Sequence, residues 1–173
     1  MFPWYALKVR ASGELKVRTA LEIKNYKVFL PTYLEGRKYS DRIKKVEAAY
    51  FPGYLFARLD LNYRLPVLQT PGVESIVSFG GVFEPVPEQE ILSLQKVVDS
   101  GTQSIAWPYL KQGDHVRVQF GALQGAEGIL IRVKGVDRLV ISVNLLQRAI
   151  STEIDRSWVR PISANEVQGV VAS

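Results

Sequence analysis

Tyr50-Phe51-Pro52-Gly53-Tyr54-Leu55-Phe56 is the stretch whose reading decides the first half of the chain. Aromatic and aliphatic residues on either side of a Pro-Gly pair read as a strand within Val46 to Leu59, bulged at Pro52-Gly53. Upstream lies Glu35 to Lys45 (EGRKYSDRIKK), which is polar, carries five Lys or Arg and has no apolar period, so it reads as an exposed hairpin or loop. Tyr26 to Tyr33 alternates as a strand that Pro31 confines to an edge or brings to an end. Before it, Ser12 is placed to cap a helix in which Glu14 pairs with Arg18, Val17, Ala20 and Leu21 form the apolar stripe, and Asn25 marks the stop. Trp4 to Arg10 (WYALKVR) is the first strand.

Downstream of the aromatic stretch, Asn62 to Leu68 reads as a short helix capped by Asn62 and limited by Pro66. Pro71-Gly72 is a turn and Val73 to Phe79 a strand. A longer helix starts at Pro87, with Glu88 and Glu90 at its positive end and Ile91, Leu94 and Val98 on one face. The order β-α-β-β-(α)-β-α implies an α+β domain over residues 1–100, a mostly antiparallel sheet with flanking helices.

Asp99 to Leu110 interrupts this pattern with Ser, Gly, Thr, Gln and Pro, which places a linker at 101–110. Short alternating segments follow at Asp114 to Phe120, Gly128 to Val133, Leu139 to Asn144, Arg148 to Ile154 and Trp158-Val159, joined at Gly121, Gly125, Gly135 and Asp137. About five short strands in so little chain imply a small all-β barrel of the SH3-like kind over 111–162, with a tail at 163–173.

Composition narrows the chemistry. The 173 residues include no Cys and one His, which removes thiolate zinc sites, Cys nucleophiles and His-based catalytic sets, so neither an enzyme nor a metal or cofactor is expected. No apolar run approaches a membrane span and no export signal is visible, so a cytoplasmic protein without membrane contact is expected. The net charge of +5 is uneven: residues 1–45 hold 11 basic against 4 acidic side chains, residues 46–110 hold 3 against 7, and the remainder 8 against 6. A basic first quarter suits nucleic acid through counterion release.

No catalytic constellation converges. Gly121-x3-Gly125-x2-Gly128 lies between strands, opens no helix and is followed by no Lys-Ser or Lys-Thr, so its glycines serve a tight barrel loop and cradle no phosphate. His115 reads as a surface strand residue, and Glu88 with Glu90, or Asp137 with Glu153, as helix-start and rim charges. Trp4, Tyr5, Tyr50, Phe51, Tyr54 and Phe56 cannot all share one sheet face, so some are expected to be available to a partner.

Trp4-Tyr5, Phe51-Pro52-Gly53-Tyr54-Leu55-Phe56 and Pro71-Gly72-Val73 resemble the N-terminal (NGN) domain of NusG-type transcription elongation factors. Gly113-Asp114-x-Val116-x-Val118-x-x-Gly121-x-x-x-Gly125-x-x-Gly128 resembles the KOW motif, and Arg138 to Ile154 resembles the strand pair that closes that barrel. The resemblance implies a monomeric, non-enzymatic factor on bacterial RNA polymerase that holds the clamp closed and suppresses pausing or termination. It implies that Trp4, Tyr5, Phe51, Pro52, Tyr54 and Phe56 lie in or beside a depression for the clamp coiled coil, and that Tyr63 and Arg64 face the gate loop. For the KOW domain it implies Rho or a small-subunit ribosomal protein as partner, through Phe120, Leu123, Gln124, Asn144, Leu145 and Leu146. The chain also resembles the specialised paralogues related to RfaH and UpxY, which implies contact with non-template DNA through Lys16, Arg18, Arg37 and Lys38. The other reading open at this point is a free RNA-binding or ribosome-associated KOW protein.

Overall fold

The computed structural model describes residues 1–110 and 112–167; residue 111, where the second domain is expected to begin, and 168–173, the end of the expected tail, lie outside the described residues. The chain divides into two compact units, Met1–Glu88 and Gln89–Ser173.

The first unit is α+β. Its strands are β1 (Trp4–Val9), β2 (Val28–Phe29), β3 (Thr32–Lys38), β4 (Ile43–Ala49), β5 (Tyr54–Arg58), β6 (Val73–Ile76), β7 (Ser78–Phe79) and β8 (Val82–Phe83), with helices α1 (Glu14–Ile23) and α2 (Leu65–Leu68). The central sheet runs β2-β5-β1-β6, while β3-β4 and β7-β8 are separate two-stranded ribbons. Strand β1 is antiparallel to β5, with Ala6 opposite Phe56 and Leu7 opposite Leu55. Side chains alternate across this pleat, so Tyr5, Leu7, Val9, Leu55 and Ala57 share one face and pack with Val17 and Leu21 of α1.

Several local expectations are corrected by competing geometry. Ser12 is no cap: it takes a left-handed conformation (φ 64), and Gly13 at the N-cap makes no side-chain bond. Glu14 is buried and accepts a hydrogen bond from the Gly53 amide at 2.8 Å, leaving Arg18 to pair with Glu47. Pro52-Gly53 makes a turn between β4 and β5 where a bulge was expected, with Gly53 at φ 84. The carboxylate that caps the short turn at Leu61–Tyr63 is Asp60, accepting from the Asn62 amide, and Pro66 sits at the start of α2, where a missing N–H costs nothing. Asn25 does stop α1, at φ 65. Strand 73–79 divides after Ile76 because Gly80-Gly81 folds Ser78–Phe79 back onto Val82–Phe83.

The second unit comprises helix α3 (Glu88–Ser100) from Gln89 onward and strands β9 (Ser104–Trp107), β10 (Asp114–Val118), β11 (Glu127–Val133), β12 (Val136–Val143), β13 (Arg148–Glu153) and β14 (Val159–Pro161). The strands form one antiparallel sheet in the order β14-β10-β11-β12-β13-β9. The sixth strand comes from the segment expected to be linker: Ala106 pairs with Ile150. The buried stripe of α3 is Ile91, Leu94 and Val97, with Val98 only half-buried. Gly121 and Gly125 take positive φ in the loop after β10, as a tight barrel loop requires. Gly128 is needed for a different reason, since a Cβ there would run into the Val140 carbonyl oxygen of the neighbouring strand.

Candidate functional site

On the face of the central sheet away from α1, β1 contributes Trp4 and Ala6, and β5 contributes Tyr54, Phe56 and Arg58. Phe29 of β2 stands beside Phe56, ring centroids 6.2 Å apart and nearly parallel. The Arg58 guanidinium lies 4.6 Å over the Trp4 ring, bonds the Phe2 carbonyl oxygen at 2.8 Å and pairs with Glu88. Two donors here find no acceptor among the described residues: the buried Trp4 Nε1 and Arg58 Nε. Arg58 and Phe29 were not singled out from the sequence, although Arg58 follows Phe56 by two residues and so must share its face.

This face qualifies the reading of the aromatic residues. Trp4 is 1% exposed, and Tyr50, Phe51 and Phe56 are also buried. Tyr5 is not on the same face as Trp4: one residue further along the strand, it turns to the α1 side and joins the core. Tyr50 turns to the root of the ribbon, its ring 4.8 Å from that of Tyr33. Pro52 is exposed and Tyr54 half-buried, so these two give the aromatic group its accessible edge. Tyr63 is 75% exposed beside the exposed Leu65. Arg64 is held in place by its bond to the Leu61 carbonyl oxygen at 2.9 Å and lies 5.8 Å over the Phe83 ring.

The basic candidates separate into two groups. Arg18 bonds Glu47 at 2.9 and 3.4 Å, and Glu47 also accepts from Thr32 Oγ1 at 2.8 Å. The Arg18 bond comes first among the causes that hold the Glu47 carboxyl below its ordinary value. Arg18 therefore anchors the root of the β3-β4 ribbon. Lys16 is exposed on α1, and Arg37 and Lys38 are exposed near the ribbon's far end, Arg37 bonded to Glu35 at 3.1 Å.

In the second unit, Phe120 and Gln124 are exposed on the loop after β10, but Leu123 is only 5% exposed, so it supports the loop from within. Leu145 and Leu146 are half-buried in a short helical turn after β12. Asn144 at the head of that turn donates from Nδ2 to Glu90 of α3 at 2.6 Å and accepts from Tyr109 Oη at 2.8 Å. Burial raises the Glu90 carboxyl to about 7, against the pull of its bonds from Asn144. Gln89 of α3 donates to the Gly125 carbonyl oxygen at 2.9 Å, and Ser93 Oγ accepts from the Glu127 amide at 2.9 Å. Glu88 and Glu90, and likewise Asp137 and Glu153, are engaged with separate partners.

Among the described residues, no group of three or more His, Cys, Asp or Glu side chains could hold a metal ion, and no helix is long and apolar enough to cross a membrane. Comparison with known proteins agrees with the architecture. The family model described as "Transcription termination factor nusG" matches residues 2–95. The transcription termination/antitermination protein NusG of Lactococcus lactis is 28% identical over 175 residues, covering 93% of this chain and 94% of the relative. The protein of the same name from Thermus thermophilus is 27% identical, covering 90% and 96%. A solved structure described as "Domain interaction in Thermotoga maritima NusG" shares the fold with a TM-score of 0.53 at 20% identity, over 94% of this chain and 98% of that one. With more than half of the chain matched by the family model, and an α+β unit followed by an antiparallel β unit, the chain belongs to the NusG family of transcription factors.

Proposed function

We propose that this protein associates with bacterial RNA polymerase through its first unit, holds the clamp closed and suppresses pausing or termination, while the KOW-type sheet recruits a second partner, Rho or a small-subunit ribosomal protein. Family membership supports the general association with the transcription machinery. The observation that carries the specific reading is the accessible edge of the aromatic group, exposed Pro52 with half-buried Tyr54, together with the exposed Tyr63 and Leu65. Helices of a coiled coil present apolar side chains in rows, which suits an accessible edge of proline and tyrosine. Bridging a second polymerase element from Tyr63 and Arg64 would favour the closed clamp by binding that state better than the open one. The reading takes no part in catalysis and calls for no cofactor.

Binding of the full chain to core polymerase tests this. Tyr54→Ala and Tyr63→Ala, both at accessible positions, are expected to weaken binding about tenfold each, as anchor side chains at interfaces do. Unchanged affinity in both variants, with polymerase bound, would place the contact elsewhere; no binding at all would favour the free RNA-binding reading.

A further inference from the structure

The β3-β4 ribbon, Thr32–Lys38 paired with Ile43–Ala49, forms a sheet of its own and, among the described residues, pairs with no other strand. Its root is fastened by the Arg18–Glu47–Thr32 cluster and the Tyr33–Tyr50 contact. Beyond Gly36 every residue to Lys45 is exposed, and the turn is closed by the Tyr39 amide donating to the Arg42 carbonyl oxygen at 2.8 Å. Seven residues per strand give a projection of roughly 20 Å.

The register shows how its charge is arranged. Arg37 stands opposite Lys44 on one face, while Gly36 opposite Lys45 and Lys38 opposite Ile43 place Lys38 and Lys45 on the other. Arg42 occupies the turn. Among the described residues, no ion pair engages Lys38, Arg42, Lys44 or Lys45; the carboxylates on this stretch are Glu35, paired with Arg37, and Asp41 in the turn next to Arg42. A ribbon made to lie flat on another protein would present one apolar face, and one made to lie along a single phosphate row would carry its cations on one face. This ribbon carries them on both faces and at the tip.

We propose that the ribbon enters the major groove of duplex DNA tip first, with phosphates of the two groove walls met by the cations on its two faces. The major groove of B-form DNA is about 12 Å wide and admits a two-stranded ribbon, whereas the major groove of A-form RNA is too narrow and a single strand offers one phosphate row. Near the tip, Ile43 is 73% exposed and Tyr39 also stands in solvent, which gives the entering end apolar atoms for thymine methyl groups. The proposal does not rest on the polymerase reading, and its test uses free DNA, so either can fail without the other.

The test is fluorescence anisotropy of the full chain with a DNA duplex of about two helical turns, the matching single strand, and an RNA duplex of the same length, across roughly 50–200 mM salt. Duplex DNA is expected to bind tightest, with a slope of log affinity against log salt of about −4, near 0.9 for each of four or five phosphates neutralised. Arg37→Ala/Lys44→Ala and Lys38→Ala/Lys45→Ala are each expected to weaken duplex binding about tenfold and to flatten the slope by about 2. Lys134→Ala, at an exposed turn of the second unit, is expected to change nothing. An effect confined to one of the two double variants would mean flat docking and would overturn the proposal. So would equal or tighter binding of the single strand or the RNA duplex, or failure of duplex DNA to bind.

Discussion

At the scale of single residues, two glutamates titrate in opposite senses for opposite reasons. Glu47 is held below its ordinary value first by the Arg18 bond, so its contribution to stability is present above about pH 4.5 and is lost as pH falls through the lowered value. Glu90 is raised from 4.5 to about 7 by burial. In the folded chain it keeps a proton that the unfolded chain releases, so its favourable contribution is present below 4.5 and disappears as pH rises through 7. Glu90→Gln, which keeps the shape and loses the charge, is expected to flatten the pH dependence of stability between those two values and to raise stability at pH 8. Thermal melts of both proteins across that range check it; a parallel pH dependence in the variant would remove Glu90 as the source. Arg18 shows how local spacing can mislead at this scale. Four residues separate it from Glu14, the partner that spacing suggests, but its guanidinium bonds Glu47, 29 residues away in sequence, while Glu14 accepts from the Gly53 amide.

At the scale of elements, legibility followed the range of the interactions that make each element. Strands β1, β5, β10 to β13 and helix α1 announce themselves through side-chain period, which is a local property. Strand β9 does not: Ser104-Ile105-Ala106-Trp107 sits among turn-forming residues and becomes a strand because β13 offers an open edge. Pro52-Gly53 reads as a bulge and folds as a turn for a related reason, since bulge and turn share residue types and only the pairing partners of β4 and β5 distinguish them. The aromatic face was half legible. Alternation correctly forbade a single face, but burial of Trp4, Phe51 and Phe56, and the placing of Arg58 over Trp4, depend on register across strands. The ribbon's exposure was readable from its lack of apolar period. Because it pairs only with itself, replacing residues 37–44 by Asn-Gly, a two-residue turn suited to such strands, is expected to leave chemical stability within about 0.5 kcal/mol of the parent while abolishing duplex binding. A loss of several kcal/mol would mean the ribbon is part of the unit's cooperative core.

At the scale of the whole molecule, the sequence divides its labour by charge: most of the positive excess lies in residues 1–45, ahead of the aromatic stretch. The two proposed attachments therefore differ in kind. Binding through Tyr54 and its neighbours is largely apolar and is expected to survive a salt concentration at which ribbon-borne duplex binding has fallen by orders of magnitude. Measuring both affinities over one salt series checks this, and parallel decline would mean that charge drives both. The self-paired ribbon has one more implication, which concerns descent. Its outer residues are covalently part of the fold yet contribute no side chain to the hydrophobic cluster around α1, so their identities can drift without endangering the scaffold. A duplicated gene could thus acquire a new address on the genome by rewriting the few codons for 37–44, while inheriting its attachment to the transcription machinery unchanged.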